Sequence, residues 1–267
     1  MPKGGRHNYR EREQAVIHTT NFQWTSASRS HVGLVRRINE DACLDLPADG
    51  RWAVADGMGG HARGDVASAM VVDAMRALAG QDSLPAKLTA ARERLMQVNL
   101  QLRDEAAARG VPMIGSTVAV LLAHGRRCGL LWAGDSRIYL CRGAQLARLT
   151  RDHSQVEEMA ASGQAVGAAP PRNLITRAVG ADSVLELDDA TLDAEDGDMF
   201  LLCSDGLSNE VAEDDILAAL LPGDCRQAAD VLVDLALAHG GRDNVSVVVV
   251  HAEDMQSQDR TVLNPAL

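Results

Sequence analysis

The chain contains few aromatic residues and few cysteines. Phe, Trp and Tyr make up 3% of its 267 residues, so a hydrophobic core has to be built mainly from Ala, Val, Leu and Ile. The five cysteines form no C-x-x-C pair, and an odd number of them favours a reducing compartment over a disulfide framework. None of them begins a C-x-x-x-x-x-R loop, which excludes phosphate ester cleavage by a cysteine nucleophile of that type.

Long apolar runs are missing as well. The longest, such as residues 118–123, are far too short to span a bilayer. The N-terminal segment carries Arg6, Arg10 and Arg12 without a following apolar stretch, which is not the pattern of a secretory signal. We therefore expect a cytoplasmic protein that does not bind membranes.

The chain also lacks an excess of positive charge. Its net charge is −11, and its isoelectric point is near 5.1. Because a nucleic-acid partner requires a basic face against its phosphates, we expect no binding to nucleic acid. The acidic charge permits a local cleft that holds metal ions, and solubility alone explains it equally well.

Polarity divides the chain into three parts. Residues 1–20 are polar and charged without an apolar period, which predicts a flexible leader. Residues 21–253 are expected to form one domain, because a chain of this length can bury a core without disulfides. Residues 254–267 are polar again, and we expect a flexible tail. Within the domain, residues 155–173 begin with a helical pattern and continue as a loop rich in Ala, Gly and Pro.

The order of helical and strand patterns predicts an α+β fold. Helical periods occur in two pairs, residues 65–78 with 85–108 and residues 213–221 with 226–239. The expected strands are residues 52–55, 117–123, 127–133, 137–141, 145–149, 184–192, 199–203 and 245–251. Because paired helices are separated by a block of strands, the pattern favours antiparallel sheets covered by helices over a doubly wound parallel sheet.

Acidic residues at strand ends are the strongest chemical signal. They occur in Glu40-Asp41, Asp56-Gly57, Asp205-Gly206 and Asp243-Asn244. Carboxylates at the ends of adjacent strands can converge, and their oxygens suit hard cations such as Mg²⁺ or Mn²⁺. Gly57 lets a backbone carbonyl turn toward such a cation. Each pair alone is more often a turn marker, but the set together predicts a metal site.

Eight short strings, in this order, resemble the motifs of the type 2C metal-dependent protein phosphatases of bacteria. The strings are VRRINED (35–41), ADGMGGH (55–61), GST (115–117), AGDSR (133–137), LTRDHS (149–154), ITRAVG (175–180), CSDGL (203–207) and GRDNVS (241–246). One string alone would be weak support, whereas the ordered set is specific. The likeness runs from about residue 28 to residue 251 and implies two packed antiparallel sheets flanked by helix pairs.

The resemblance also implies a metal-ligand set. Asp56 is expected to bridge two metal ions, Mn²⁺ or Mg²⁺, with the Gly57 carbonyl on the second ion. Asp205 and Asp243 are expected to complete the site of the first ion. Asp135, together with Asp205, is expected to serve a weaker third ion.

Other residues are expected to support that set. Glu40 and Asp41 are expected to hold metal-bound waters, with Asn244 beside them. Arg36 is expected to bind the substrate phosphate through its forked guanidinium. His61 is expected to act as general acid or phosphate contact, with a structural role left equally open. His153 is expected to be structural, and residues 155–173 correspond to the family's flap.

The implied function is metal-dependent hydrolysis of phosphoserine and phosphothreonine in proteins. The expected partners are phosphorylated proteins and a bacterial serine/threonine kinase, and we expect a monomer. Type VI secretion is one pathway in which such relatives act. Two rival hypotheses stay open: a phosphoprotein-binding pseudoenzyme, which would be expected to lack Asp56, Asp205 or Asp243, and a phosphatase for small phosphorylated molecules.

Overall fold

The chain folds into eleven strands and six α-helices within its described residues. The computed structural model describes residues 22–59, 63–162 and 174–255, without the side chains of residues 161 and 162. The strands are β1 (Phe22–His31), β2 (Asp41–Leu46), β3 (Arg51–Met58), β4 (Gly115–Ser116), β5 (Val118–His124), β6 (Arg127–Ala133), β7 (Arg137–Arg142), β8 (Gln145–Arg148), β9 (Asp188–Asp193), β10 (Met199–Cys203) and β11 (Val245–Asp254). The helices are α1 (Gly64–Arg76), α2 (Leu84–Arg109), α3 (Gln155–Ser162), α4 (Asp205–Ser208), α5 (Glu213–Leu220) and α6 (Cys225–Ala238), with a 3-10 turn at Pro47–Asp49.

The strands form two antiparallel sheets. The first sheet has the order β1-β11-β10-β7-β8, and the second has the order β2-β3-β5-β6-β9, with β4 paired to β3. Strands β3 and β11 carry apolar residues on both faces, because each sheet is covered twice. Trp52 and Val54 pack in the layer between the sheets with Phe200, whereas Ala53 and Ala55 pack toward the helices.

Helix pairs cover the outer faces. Helices α1 and α2 pack on the second sheet, and α5 and α6 pack on the first. The Ser83 hydroxyl caps α2 by accepting from the Ala86 amide at 3.3 Å, and the Asp224 carboxylate caps α6 by accepting from the Gln227 amide at 2.8 Å. None of the helices in the described part of the chain is long and apolar enough to cross a membrane.

The predicted α+β sandwich with two helix pairs is confirmed. Two local predictions were wrong. The strand predicted from residue 184 begins at Asp188, and β3 continues through Asp56 and Gly57 to Met58 instead of ending at Ala55. Asp205-Gly206, where the sequence left a turn open as an alternative, begins the short helix α4.

Some expected segments lie outside the described residues. They are the leader at 1–20, most of the flap (163–173) and the tail from residue 256 onward. His61 also lies outside, within residues 60–62. The last strand, β11, extends to Asp254, so it includes the first residue of the expected tail.

Candidate metal centre

Antiparallel pairing brings the acidic motifs to one edge of the sandwich. Cys203, at the end of β10, pairs with Val247 near the start of β11 and with Arg137 at the start of β7. Asp205 follows β10, while Asp243 and Asp135 precede β11 and β7, so these three residues leave the first sheet at the same edge. In the second sheet, Asp41 at the start of β2 pairs directly with Asp56 near the end of β3.

The main chain of Asp56 is held from the neighbouring segment. Its amide donates to the Thr117 hydroxyl at 3.0 Å, and its carbonyl accepts from the Thr117 amide at 2.8 Å and the Ser116 hydroxyl at 3.0 Å. Gly57 follows where a Cβ would lie 2.0 Å from the Gly64 carbonyl oxygen, so only glycine fits between β3 and α1. These contacts fix the main chain of Asp56 at the sheet edge.

Burial and mutual repulsion raise the pKa values of these carboxylates. Burial, followed by the charges of Asp41 and Asp205, raises the pKa of Asp56 well above its usual range. Burial likewise raises the pKa of Asp41 to about 7, and the charges of Asp205 and Asp243 add to the shift. These charges act on one another strongly enough to show that the side chains form one electrostatic group.

Asp135 and Asp205 belong to the same group. Burial, followed by the charges of Asp205 and Asp152, raises the pKa of Asp135 to about 7. Burial, followed by the charge of Asp243, raises the pKa of Asp205. A site that concentrates buried negative charge in this way favours a proton or a cation as its counter-charge.

Three buried oxygens in this group accept no hydrogen bond from the described residues. They are Asp41 Oδ1, Asp135 Oδ1 and Asp205 Oδ1. Within residues 22–59, 63–162 and 174–255, no group of three or more acidic, histidine or cysteine side chains is placed to hold a metal ion. Mg²⁺ and similar hard cations keep several waters and need only one or two carboxylates each. The donor set therefore fits open, water-rich cation sites rather than a closed cage.

Glu40 and Asn244 connect the two sheets beside this group. The Glu40 carboxylate Oε1 accepts from the Gly64 amide at 3.1 Å, at the start of α1. The Glu40 amide donates to Asn244 Oδ1 at 2.8 Å. Burial is the largest cause that raises the pKa of Glu40. Both residues thus fix the sheet edge beside the carboxylates. Among the described residues, the side-chain amide of Asn244 bonds only to main-chain groups, those of Val32, Ile38 and Glu40.

Arg36 is the cation in contact with the acidic group. Its Nη2 donates to Asp243 Oδ2 at 2.6 Å, and this contact raises the pKa of Arg36. The guanidinium is still half exposed, with 51% of the side chain accessible. An exposed arginine beside buried carboxylates can meet an anionic ligand from solvent.

Hydroxyl groups that support the carboxylates had no role assigned from the sequence. The Ser204 hydroxyl donates to Asp41 Oδ2 at 2.8 Å and accepts from the Ser246 amide at 3.0 Å. The Thr117 hydroxyl meets the Ser136 hydroxyl at 2.7 Å. The available signal was their position inside the quoted strings: Ser204 and Ser136 lie directly beside Asp205 and Asp135, and Thr117 ends the string at 115–117.

His153 has a structural environment. Its ring stacks on Trp132 with centroids 6.3 Å apart, and its Nδ1 accepts from the Gly134 amide at 3.2 Å. The side chain is buried. This is the role expected for it from the sequence.

Comparisons with known proteins agree with this geometry. The family model described as protein phosphatase 2C matches residues 27–234. Serine/threonine protein phosphatase PstP of Mycobacterium tuberculosis is 40% identical over 240 residues, which are 85% of this chain and 45% of PstP. The chain therefore spans about half the length of that curated relative.

Two solved structures are similar over most of the chain. PppA, a key regulatory component of T6SS in Pseudomonas aeruginosa, is 46% identical with a TM-score of 0.82, covering 87% of this chain and 100% of that one. The catalytic domain of PstP in complex with two manganese ions is 36% identical with a TM-score of 0.78, with coverage of 87% and 100%. With the family model spanning most of the sequence and the acidic motifs meeting at one sheet edge, the chain belongs to the protein phosphatase 2C family.

Proposed function

We propose that the chain is a metal-dependent protein-serine/threonine phosphatase that hydrolyses phosphoserine and phosphothreonine esters. The observation that carries the proposal is a group of buried carboxylates, three of whose oxygens have no hydrogen-bond partner among the described residues, next to the half-exposed Arg36. Similarity to PstP and PppA supports it. Buried acids attract cations, and the arginine adds an anion-binding group at the rim.

The metal ions are proposed to be two Mn²⁺ or Mg²⁺, with a weaker third. Asp56, Asp205 and Asp243, together with the Gly57 carbonyl, would hold the first two ions. Asp135 would serve the third ion. When bound, two such cations lower the pKa of a water and stabilise charge on the phosphoryl oxygens. The complex of the PstP catalytic domain with two manganese ions supports this choice.

The remaining residues are proposed to hold waters, to keep each other in place and to protonate the leaving group. Glu40 and Asp41 would hold waters at the site, since Asp41 Oδ1 accepts no hydrogen bond within the described part of the chain, while Asp41 Oδ2 accepts from Ser204. Asn244 would keep Glu40 in place through its hydrogen bond to the Glu40 amide. We also propose that His61 protonates the leaving serine or threonine oxygen, because an imidazole with a pKa near neutrality suits that step.

The partners and boundaries are proposed on the same basis. Phosphorylated proteins are the substrates, and a serine/threonine kinase supplies them. A catalytic domain over residues 21–253, with a flap at 155–173, is the working unit, and we propose that it acts as a monomer in the cytoplasm. The 46% identity to PppA favours T6SS regulation as the pathway.

The proposed function is tested with matched phosphopeptides. In Mn²⁺, the purified chain should release phosphate from a phosphothreonine and a phosphoserine peptide at least about tenfold faster than from the same peptide with phosphotyrosine. The reason is positioning: the aromatic ring of phosphotyrosine holds its phosphate farther from the peptide backbone than a serine or threonine side chain does, so the peptide cannot make the same contacts when its phosphate reaches the carboxylates. Malachite green detection of phosphate gives the rates.

The same measurement separates the rival hypotheses. A phosphoprotein-binding pseudoenzyme would bind the peptides and release no phosphate from any of them. A phosphatase for small molecules would hydrolyse p-nitrophenyl phosphate and leave all peptides intact. Either result would overturn the proposed function.

Replacing Arg36 by Ala should raise the KM for a phosphothreonine peptide by about tenfold, with a smaller change in kcat. Loss of a charge-assisted contact of roughly 1.5–3 kcal/mol gives a change of this order. Affinity for Mn²⁺, measured by calorimetry, should stay the same or increase, because Arg36 competes for Asp243 Oδ2. Arg36→Lys is the matched control. It keeps the positive charge but loses the forked guanidinium, so its KM should lie between those of the wild type and Arg36→Ala. Weaker Mn²⁺ binding by Arg36→Ala at unchanged KM would contradict this role.

A further inference from the structure

Large apolar side chains are concentrated on the loop that carries Arg36. Leu34, Val35 and Ile38 are 65%, 66% and 64% exposed. They are three of the ten exposed large apolar residues in the described part of the chain, and they fall within five consecutive positions. Single exposed apolar residues are ordinary, but clustered ones mark a contact surface. We call these three side chains the 34–38 patch.

The loop cannot turn these side chains inward, because both of its ends are fixed. The side-chain amide of Asn244 donates to the Val32 carbonyl at 2.8 Å and to the Ile38 carbonyl at 3.0 Å. The Leu34 amide donates to the Gly241 carbonyl at 2.7 Å. A residue with a Cβ at Gly33 would collide with the Asp243 carbonyl oxygen at 2.2 Å. The exposure is therefore built into the fold rather than a result of a loose loop.

Position on the loop relates the patch to the acidic group. Arg36 lies between Val35 and Ile38, and its guanidinium contacts Asp243. Arg37 adds a second exposed cation, and no ion pair involving it is found among the described residues. On a chain with a net charge of −11, this combination of two arginines and three apolar side chains is suited to an anionic ligand with apolar surroundings.

We infer that the 34–38 patch binds apolar side chains next to the phosphorylated residue of a protein substrate. This inference rests on the proposed function, because it takes Arg36 as the phosphate contact. In an extended substrate, neighbouring residues follow the phosphorylated residue at about 3.8 Å intervals, so their side chains pass over the positions beside Arg36. Burying one such side chain against the patch supplies selectivity of about tenfold.

Two phosphothreonine peptides test the inference. One has Leu on both sides of the phosphothreonine, and the other has Ser at both positions. For the wild-type chain with Mn²⁺, kcat/KM should be about tenfold higher for the leucine peptide. In the double variant Val35→Thr/Ile38→Thr, which keeps β-branched shape, this ratio should fall to near one. The ratio is used because a general disturbance of the site affects both peptides equally.

Leu100→Gln is the matched control. Leu100 is 57% exposed on α2, far along the chain from the loop, and its replacement should leave the ratio unchanged. Equal rates of the wild type on both peptides, or an unchanged ratio in the double variant, would overturn the inference while leaving the proposed function intact. A wild type that elutes as a dimer and a double variant that elutes as a monomer on size exclusion would assign the patch to a second copy instead.

Failure of the proposed function gives a different result. In that case the wild type releases phosphate from neither peptide, whether or not it hydrolyses p-nitrophenyl phosphate. Fluorescence anisotropy with the same two peptides, labelled, then decides the inference directly. Tighter binding of the leucine peptide that is lost in the double variant supports the patch, and equal binding overturns it.

Discussion

Removing divalent cations with EDTA should abolish phosphate release from a phosphothreonine peptide and lower the unfolding midpoint by about 5–10 °C. Activity is lost because the proposed mechanism takes its nucleophile from a water whose pKa the bound cations lower. Stability is lost because ligand at a hundredfold excess over its Kd contributes about 2.7 kcal/mol. In a domain of this size, roughly 2–4 °C follows from each kcal/mol. Differential scanning fluorimetry measures the midpoint without any need for activity.

Readdition of metal is the control for this experiment. Mn²⁺ or Mg²⁺ in excess over EDTA should restore both phosphate release and the unfolding midpoint, whereas KCl at equal ionic strength should restore neither. Screening by salt reduces repulsion among exposed charges, but it acts weakly on buried carboxylates such as Asp56 and Asp205. Full activity in EDTA would exclude the proposed mechanism.

The layout of the fold could be predicted from the sequence because its signals are local. The paired helical periods and the apolar strand runs are visible residue by residue, and they correspond to α1 with α2, α5 with α6, and most strands. Boundaries were less accurate where polar residues continue a strand. Asp56 and Gly57 continue β3 because the segment around Thr117 pairs with them, which is a tertiary contact.

The acidic group could be predicted in outline but not in detail. Acidic residues at strand ends signalled a site, and antiparallel pairing explains why Asp41 and Asp56 become direct neighbours. Which oxygens are free and which are held was not visible, because the partners come from distant segments. Ser204 reaches Asp41 over a separation of 163 residues.

The exposure of the 34–38 patch could not be predicted from the sequence either. In the sequence, Val35 and Ile38 are apolar residues of the string at 35–41, and Leu34 directly precedes it. They remain in solvent because Asn244, far along the chain, holds both ends of their loop. Exposure of this kind is a property of tertiary structure, and it carries the inference about substrate side chains.

Replacing Asp205 by Asn should lower kcat/KM for the phosphothreonine peptide by about a hundredfold or more in Mn²⁺. Residues that only support a metal ligand typically cost 10–100-fold, so a direct ligand should reach or exceed that range. Asn keeps the shape of Asp205 and can still accept from Asn209, which lies 3.1 Å from Asp205 Oδ2. The variant therefore removes charge with little change in packing. Near-normal turnover would show that the site has been misplaced.

The same variant should have the opposite effect on stability when metal is absent. Burial and the charge of Asp243 raise the pKa of Asp205, so its ionised form opposes folding at neutral pH. Neutralising it should raise the unfolding midpoint in EDTA by about 2–4 °C, corresponding to about 1 kcal/mol. Mn²⁺ should then raise the midpoint of the wild type by more than that of Asp205→Asn. The matched control, Asp104→Asn on the exposed face of α2, should change neither midpoint. If the unfolding midpoint of Asp205→Asn in EDTA is lower than that of the wild type, the ionised carboxylate of Asp205 stabilises the metal-free fold, and the prediction is wrong.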